Sequence, residues 1–396
     1  MKVTFYSNFL NHHQLPFCLE MQRRLGEGFK FVATTPIEIA RVTLGYRDMN
    51  HQYPFVITTY DNPQGEAEAL RLCIESDVII TGSAPERYTA ERIRQNKLTF
   101  RYSERVYKNG LWHVLSPRGL VNMLRMHTRY KNKNLYMLCA SGYTAGDFAM
   151  VGAYKNKTYK WGYFPDTLTY DVDKLMMDKR GDALQILWCG RFLKLKHPEQ
   201  AIKVAVKLKR DRIDFKLRMI GIGSLQEHIR KMILENELED QVELLGSMSP
   251  EDVRSYMEKA HIFLFTSDYH EGWGAVLNEA MNSACAIVAS HAIGSVPFLI
   301  KHGENGLVYK NGNTDDLYAQ VKKLADDENL RVRLGRQAYH TLSSTWNAHN
   351  AAENFLKLSD SLLCGGGETI TEGPCSKAHA VMQSKMYENI IEGKLK

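Results

Sequence analysis

The sequence predicts an α/β protein made of two Rossmann-like domains. Short apolar runs alternate with runs of helical period along most of the chain, the pattern of βαβ units and parallel sheets. The length of 396 residues favours two domains over one, and the strand-like runs are enough for two sheets. A composition of 44% hydrophobic and 24% charged residues is that of a globular protein with a sizeable core.

The runs that read as strands are Val3–Tyr6, Phe29–Ala33, Val78–Thr81, Leu135–Cys139, Leu184–Cys189, Phe215–Ile220, Val242–Leu245, Ile262–Thr266 and Ala286–Ala289. Each is short and nearly all apolar, as strands buried on both faces are. Leu225–Glu237 and Pro250–Lys259 have a period near 3.6 and read as helices. Ser249 with Asp252 three residues on is a loose capping-box pattern at the start of the second. Pro165–Gly181 has weak periodicity and reads as an interdomain linker. "CGGGETITEGP" (364–374) reads as a flexible Gly-rich break. Beyond it Val381, Met382, Met386, Ile390 and Ile391 fall at helical spacing and predict a tail helix.

No run of 18 apolar residues is present, so no membrane span is predicted. The N-terminus MKVTFYSNFL lacks a signal-type apolar run and reads as a first strand. The seven cysteines are scattered without a C-x-x-C pair. They predict reduced thiols in a cytoplasmic protein, not a disulfide frame or a zinc site. Charge is uneven. Arg87–Lys133 holds twelve Lys/Arg against two Glu, a net of about +10, together with Phe100, Tyr102, Tyr107, Trp112 and Tyr130. Such a segment suits an anionic membrane surface or an anionic substrate, and is otherwise a solvated face. It contains no nucleic-acid-binding module. If it meets a membrane, Tyr107, Trp112 and Leu120–Leu124 are expected to add shallow apolar contacts.

The chemistry concentrates where strands end and helices begin. In "HEGWGAVLNEAM" (270–281), Glu271 follows a buried strand and Glu279 stands eight positions on, about one and a half turns into the expected helix. Gly272, Trp273 and Gly274 lie at its mouth, and the glycines leave backbone N–H groups open to a phosphate or a sugar hydroxyl. "LWCGRFLKLKHPEQAI" (187–202) places Arg191 and Lys196 between a strand and a helix, where a fork and a point charge can neutralise a diphosphate. "MIGIGSLQEHI" (219–229), with Gly221, and "ELLGSMSPEDV" (243–253), with Gly246, Ser247 and Met248, are further strand–Gly–helix junctions.

In this order, over about residues 184–350, the blocks G-R-x4-K, G-x-G, L-G-S, E-G-x-G-x4-E-A-M and G-x-N-G-L resemble the retaining GT-B glycosyltransferases of family 4. The resemblance implies two Rossmann-like domains facing each other across a cleft. Residues 1–165 would bind the acceptor and 166–346 the nucleotide sugar. Residues 347–396 would supply a helix crossing back to the first domain, the Gly-rich linker and the tail helix. Arg191 and Lys196 match the diphosphate pair, Glu271 the acid at the donor sugar, and Glu279 the acid that holds the ribose. Gly272, Trp273 and Gly274 match backbone donors near sugar and phosphate. Gly221 opens the second Gly loop, and Gly246, Ser247 and Met248 fall where the base lies. The implied partners are a nucleotide-diphosphate sugar, with a UDP-sugar expected, and a hydroxyl acceptor that a lipid can carry at the inner face of the membrane. The surface-polysaccharide or glycolipid assembly of bacteria is the implied setting.

The first half departs from the pattern. Asn11, His12 and His13 stand where the family has a glycine pair. Glu104 and Arg105 stand where many members have a sugar-contacting His. These five are the acceptor-side candidates, and His127 reads as structural. His197 replaces the usual Gly after the Lys. The D-x-D of metal-dependent GT-A enzymes occurs once, as Asp171-Val172-Asp173, in the linker and not after a buried strand, so no metal and no cofactor is expected. Two other readings remain, a sugar-nucleotide 2-epimerase of similar fold and a non-catalytic sugar-nucleotide-binding protein.

Overall fold

The computed structural model describes residues 1–38, 47–110, 116–179, 181, 183–366 and 370–395. The chain divides into two compact units, residues 1–166 with 347–381, and 167–346 with 382–396. Each holds one fully parallel sheet with helices, so the α/β class with two Rossmann-like domains is what the chain adopts.

The first sheet has seven strands: β1 (Val3–Ser7), β2 (Phe29–Ala33), β3 (Val56–Thr58), β4 (Val78–Thr81), β5 (Thr99–Ser103), β6 (Leu135–Cys139) and β7 (Thr158–Lys160), in the order β3-β2-β1-β4-β5-β6-β7. The second has β8 (Leu184–Cys189), β9 (Phe215–Ile220), β10 (Val242–Gly246), β11 (Ile262–Phe265), β12 (Ala286–Ser290) and β13 (Leu307–Tyr309), in the order β10-β9-β8-β11-β12-β13. In both sheets the winding reverses beside the first strand. Ligands of open parallel sheets bind at that switch point, outside the strands' carboxyl ends. In the second unit it lies between β8 and β11, whose register pairs Ile186 with Ile262 and Trp188 with Leu264.

The cores follow from the strand sequences. Ile186, Trp188, Leu217, Met219, Leu264 and Val288 are buried in the second unit's core with Ala201, Ala205 and Leu208 of the helix Pro198–Arg210. In the first unit Phe355, from the helix Ala348–Leu363, packs edge-on to Phe17 at 6.2 Å and lies 5.1 Å from Phe100 between ring centroids.

Three expectations need correction. The span Pro165–Gly181 contains a helix, Val172–Asp178, whose start Asp171 caps by accepting from the N–H groups of Asp173 and Lys174. The helix after the E-G-x-G block begins only at Val276, so Glu279 lies in its first turn and not deeper. At Ser249 the cap forms, with Asp252 N–H donating to its hydroxyl at 3.1 Å. The reciprocal arm differs, because the Ser249 hydroxyl itself donates to the Asp252 carboxylate. The tail helix is present as Gln383–Ile391 and anchors through Tyr387, whose hydroxyl donates to Asp316 at 2.9 Å.

Candidate active site

At the second unit's switch point two charged side chains meet. Lys196 leaves a short turn after β8, Glu271 leaves the loop after β11, and Lys196 Nζ forms an ion pair with Glu271 Oε2. Both are largely shielded from solvent, with side chains 17% and 13% exposed, so the attraction is weakly screened. The Ser267 hydroxyl donates to the same carboxylate oxygen at 3.0 Å. Arg191 is exposed, and its side chain has no hydrogen-bond or ion-pair partner among the described residues. The Cys189 thiol, at the end of β8, is pushed up to about 12 by burial, with the Glu279 charge raising it further and Lys196 opposing. Glu279 and Lys196 therefore act on one spot.

Backbone contacts bring the strand-end loops together. At Gly221 a Cβ would stand 2.0 Å from the Gly190 carbonyl oxygen, so only glycine lets the loops after β8 and β9 touch. Gly221 N–H donates to the Gly246 carbonyl at 2.7 Å, joining the loop after β10. Ser247 is exposed and Met248 half-buried beside it. Gly274 has φ +82°, and a Cβ there would fall 2.3 Å from the Phe265 ring, while Gly272 is buried. Trp273 is core. Its indole N–H donates to Asn278 at 2.9 Å and its ring lies 6.2 Å from that of Trp346, so only its backbone can serve a ligand.

In the first unit Asn11, His12, His13 and Glu104 gather at the sheet's carboxyl edge. Asn11 Oδ1 accepts from the N–H groups of His13 and Gln14, closing its own turn. The His13 ring stacks on Tyr163 at 5.1 Å with His12 3.7 Å away, and the Tyr163 hydroxyl donates to Glu104, which also pairs with Lys108. Arg105 does not join them. It is buried, 3.4 Å from Asp147 and over the Tyr143 ring at 4.6 Å. Burial raises Asp147 above the usual carboxylate range despite Arg105. His127 is structural in form, with Nδ1 2.8 Å from the Tyr154 hydroxyl and its pKa driven down to about 3 by burial and by Arg101.

The basic segment is not one solvated face. Arg92 is buried and donates five hydrogen bonds to the carbonyls of Cys73, Ser76, Asp77 and Leu98. Arg101 and Arg105 are buried too, and Tyr107 is core at 2% exposure, which removes it from any surface. Trp112 lies outside the described residues. Arg118, Arg125 and Lys131 have no side-chain partner among the described residues. Arg118 and Arg125 flank the exposed Leu120, Val121 and Leu124 on the helix Pro117–Met126. The D-x-D is accounted for locally, Asp171 as a cap and Asp173 by an ion pair with Arg336 at 2.6 Å. No helix among the described residues is long and apolar enough to cross a membrane.

Sequence reasoning missed Ser267, Tyr163 and the group around Asp268. His197 Nε2 lies 3.1 Å from Asp268 Oδ2 and Nδ1 2.8 Å from Glu199. Nothing in the spacing of these residues signals the contact.

Residues 177–341 match the model of the glycosyl transferases group 1. An uncharacterized glycosyltransferase of Methanocaldococcus jannaschii is 31% identical over 164 residues, 41% of this chain and 44% of that protein. The amylovoran biosynthesis glycosyltransferase AmsK of Erwinia amylovora is 28% identical over 47% of each chain. The match thus spans less than half the length of these relatives. Whole-chain likeness is one of fold. The Anabaena protein HepE, solved in complex with UDP, superposes with a TM-score of 0.67 at 16% identity over 91% of this chain and all of that one. Sucrose-phosphate synthase from Thermosynechococcus elongatus gives 0.60 at 16% identity over 92% and 100%.

Proposed function

We propose that this protein is a retaining GT-B glycosyltransferase of family 4 type that moves a sugar from a nucleotide-diphosphate donor to a hydroxyl acceptor. The observation that carries the reading is the meeting of Lys196 with Glu271 at the switch point of the second sheet, on the loop that also carries Arg191, with Glu279 and Lys196 both acting on the Cys189 thiol. Leaving-group departure adds negative charge to the diphosphate and positive character to the sugar. Arg191 and Lys196 stabilise the first and Glu271 positions the second. Contacts that strengthen as charge develops raise the rate and do more than tighten binding. Glu279 holds the ribose, and the Gly221 and Gly246 loops with Ser247 and Met248 receive the base. The first unit holds the acceptor at the His12, His13 and Glu104 cluster.

A UDP-sugar is the proposed donor, supported by the UDP with which HepE was solved. The named polysaccharide-assembly relative supports an acceptor of surface polysaccharide or glycolipid type. A lipid-linked acceptor accords with Arg118, Arg125 and the apolar face between them, and with an enzyme that works in the cytoplasm at the inner membrane face. The test is a screen of UDP-, GDP- and ADP-sugars for donor hydrolysis. Hydrolysis of a UDP-sugar with release of UDP supports the reading. Isomerised sugar nucleotide without release of UDP would assign an epimerase, and binding without turnover a sensor.

A further inference from the structure

His197 has backbone angles φ 49°, ψ 52°, a left-handed conformation that an L side chain seldom adopts. It stands between Lys196 and the helix Pro198–Arg210, where a glycine would sit without strain. Something must favour the imidazole there. Both ring nitrogens face carboxylates, Nδ1 at 2.8 Å from Glu199 Oε1 and Nε2 at 3.1 Å from Asp268 Oδ2. Ionised carboxylates only accept hydrogen bonds, so each nitrogen must donate and the ring must be an imidazolium. The two carboxylates outweigh burial and lift the His197 pKa to about 9, while Asp268 is held down to about 2 against its burial by His197 and His270.

Asp268 is fixed from its other side. Its Oδ1 accepts from His270 N–H at 2.9 Å and lies 2.8 Å from His270 Nδ1. Its N–H donates to the Leu195 carbonyl at 3.0 Å, and its carbonyl accepts from Glu271 N–H at 3.1 Å. The Thr266 hydroxyl donates to the Lys196 carbonyl at 2.7 Å. His197 and Asp268 thus sit between the two loops that carry Lys196 and Glu271. His197, Thr266, Asp268 and Tyr309 line a cavity of about 170 Å³ on this side, so the loops meet here through the hydrogen bonds of Asp268 with Leu195 and of Thr266 with Lys196 and the ion pair of His197 with Asp268.

We propose that His197 is a positioning residue, an ionic strut that ties the loop after β8 to the loop after β11 and keeps Lys196 and Glu271 in register for one donor. The part about the donor rests on the function proposed above; the strut itself does not. The groups facing the ring are Glu199 from its own helix and Asp268 with His270 from the loop after β11, and Lys203 acts on Glu199 from the next helical turn.

The test begins without ligand. The ¹⁵N shifts of the His197 ring should show both nitrogens protonated at pH 7.5, with deprotonation near pH 9; a neutral ring at pH 7.5 would overturn the strut. Amide exchange over 266–272 should quicken about tenfold in both His197→Gly and His197→Asn, with exchange in the helix Thr314–Asp326 unchanged, and should slow again in His197→Arg. Unchanged exchange in the Gly and Asn variants overturns the proposal whether or not the protein transfers sugar. In transfer assays of a UDP-sugar, kcat of both variants should fall by about 10²-fold, the cost of a slight misplacement of reacting groups, with KM for the donor nearly constant. A wild-type protein without transfer removes the functional reading and leaves the exchange and nitrogen-shift readouts to decide the strut.

Discussion

Lys196 and Glu271, 75 positions apart in sequence, form an ion pair across the switch point of the second sheet. On the proposed function, a diphosphate entering there would draw the ammonium from the carboxylate and free Glu271 for the sugar. Each variant, Lys196→Ala and Glu271→Ala, should therefore fold normally and lose about 10²–10³ in kcat, as when one transition-state contact is removed. Circular dichroism and steady-state kinetics check this. An unchanged kcat in Lys196→Ala would remove the diphosphate role.

Glu279 should behave differently. A ribose contact is the same before and during bond breaking, so Glu279→Ala should weaken donor binding and leave kcat nearly intact. Calorimetric titration with the donor beside initial-rate data separates the two. A large kcat loss at constant affinity would place Glu279 at the reacting centre.

Transfer should proceed in the presence of EDTA. The one D-x-D in the chain is occupied, Asp171 in capping a helix and Asp173 in pairing with Arg336, so on the proposed function the diphosphate charge would fall to Arg191 and Lys196. Activity abolished by chelation and restored by manganese would contradict this.

Vesicle binding should depend on few of the twelve basic residues. On the proposed membrane role Arg118, Arg125 and Lys131 would contribute about 1 kcal/mol each near an anionic leaflet, and Leu120, Val121 and Leu124 would insert shallowly. Co-sedimentation with anionic vesicles should weaken about 10²-fold in the triple Gln variant. It should also fall at high salt, where the Debye length is about 3 Å at 1 M. Equal binding to neutral and anionic vesicles would leave the helix Pro117–Met126 without a membrane role.

The strands legible in the sequence are those with unbroken apolar runs, such as β4 and β11, because they are covered on both faces. β3 and β7 are three-residue edge strands, too short for any period. β5 reads T-F-R-Y-S, and its Arg101 looks like surface until the fold supplies the Met126 carbonyl and His127 as partners. Lys196 and Glu271 are visible because each follows a buried strand within a spaced motif. The His197 contact is not, since one histidine after one lysine carries no pattern and its carboxylates come from a different loop and the next turn of chain. Arg105 reads as a candidate by position, and only the buried Asp147 removes it.

The composition of the first unit bears on how the protein is made. Its core needs Phe355, which lies beyond the 180 residues (167–346) that separate the unit's two segments. At about 5–20 residues per second of synthesis, those 180 residues alone take roughly 10–40 s, through which Phe17, Phe100 and Trp161 keep uncovered the side that Phe355 meets, while the second unit's own sheet is completed by β13. The half that is begun first waits for a helix made after the other half's sheet. During that interval a nascent chain has a specific vacancy, shaped for one helix of its own, that a chaperone or a neighbouring copy can fill instead.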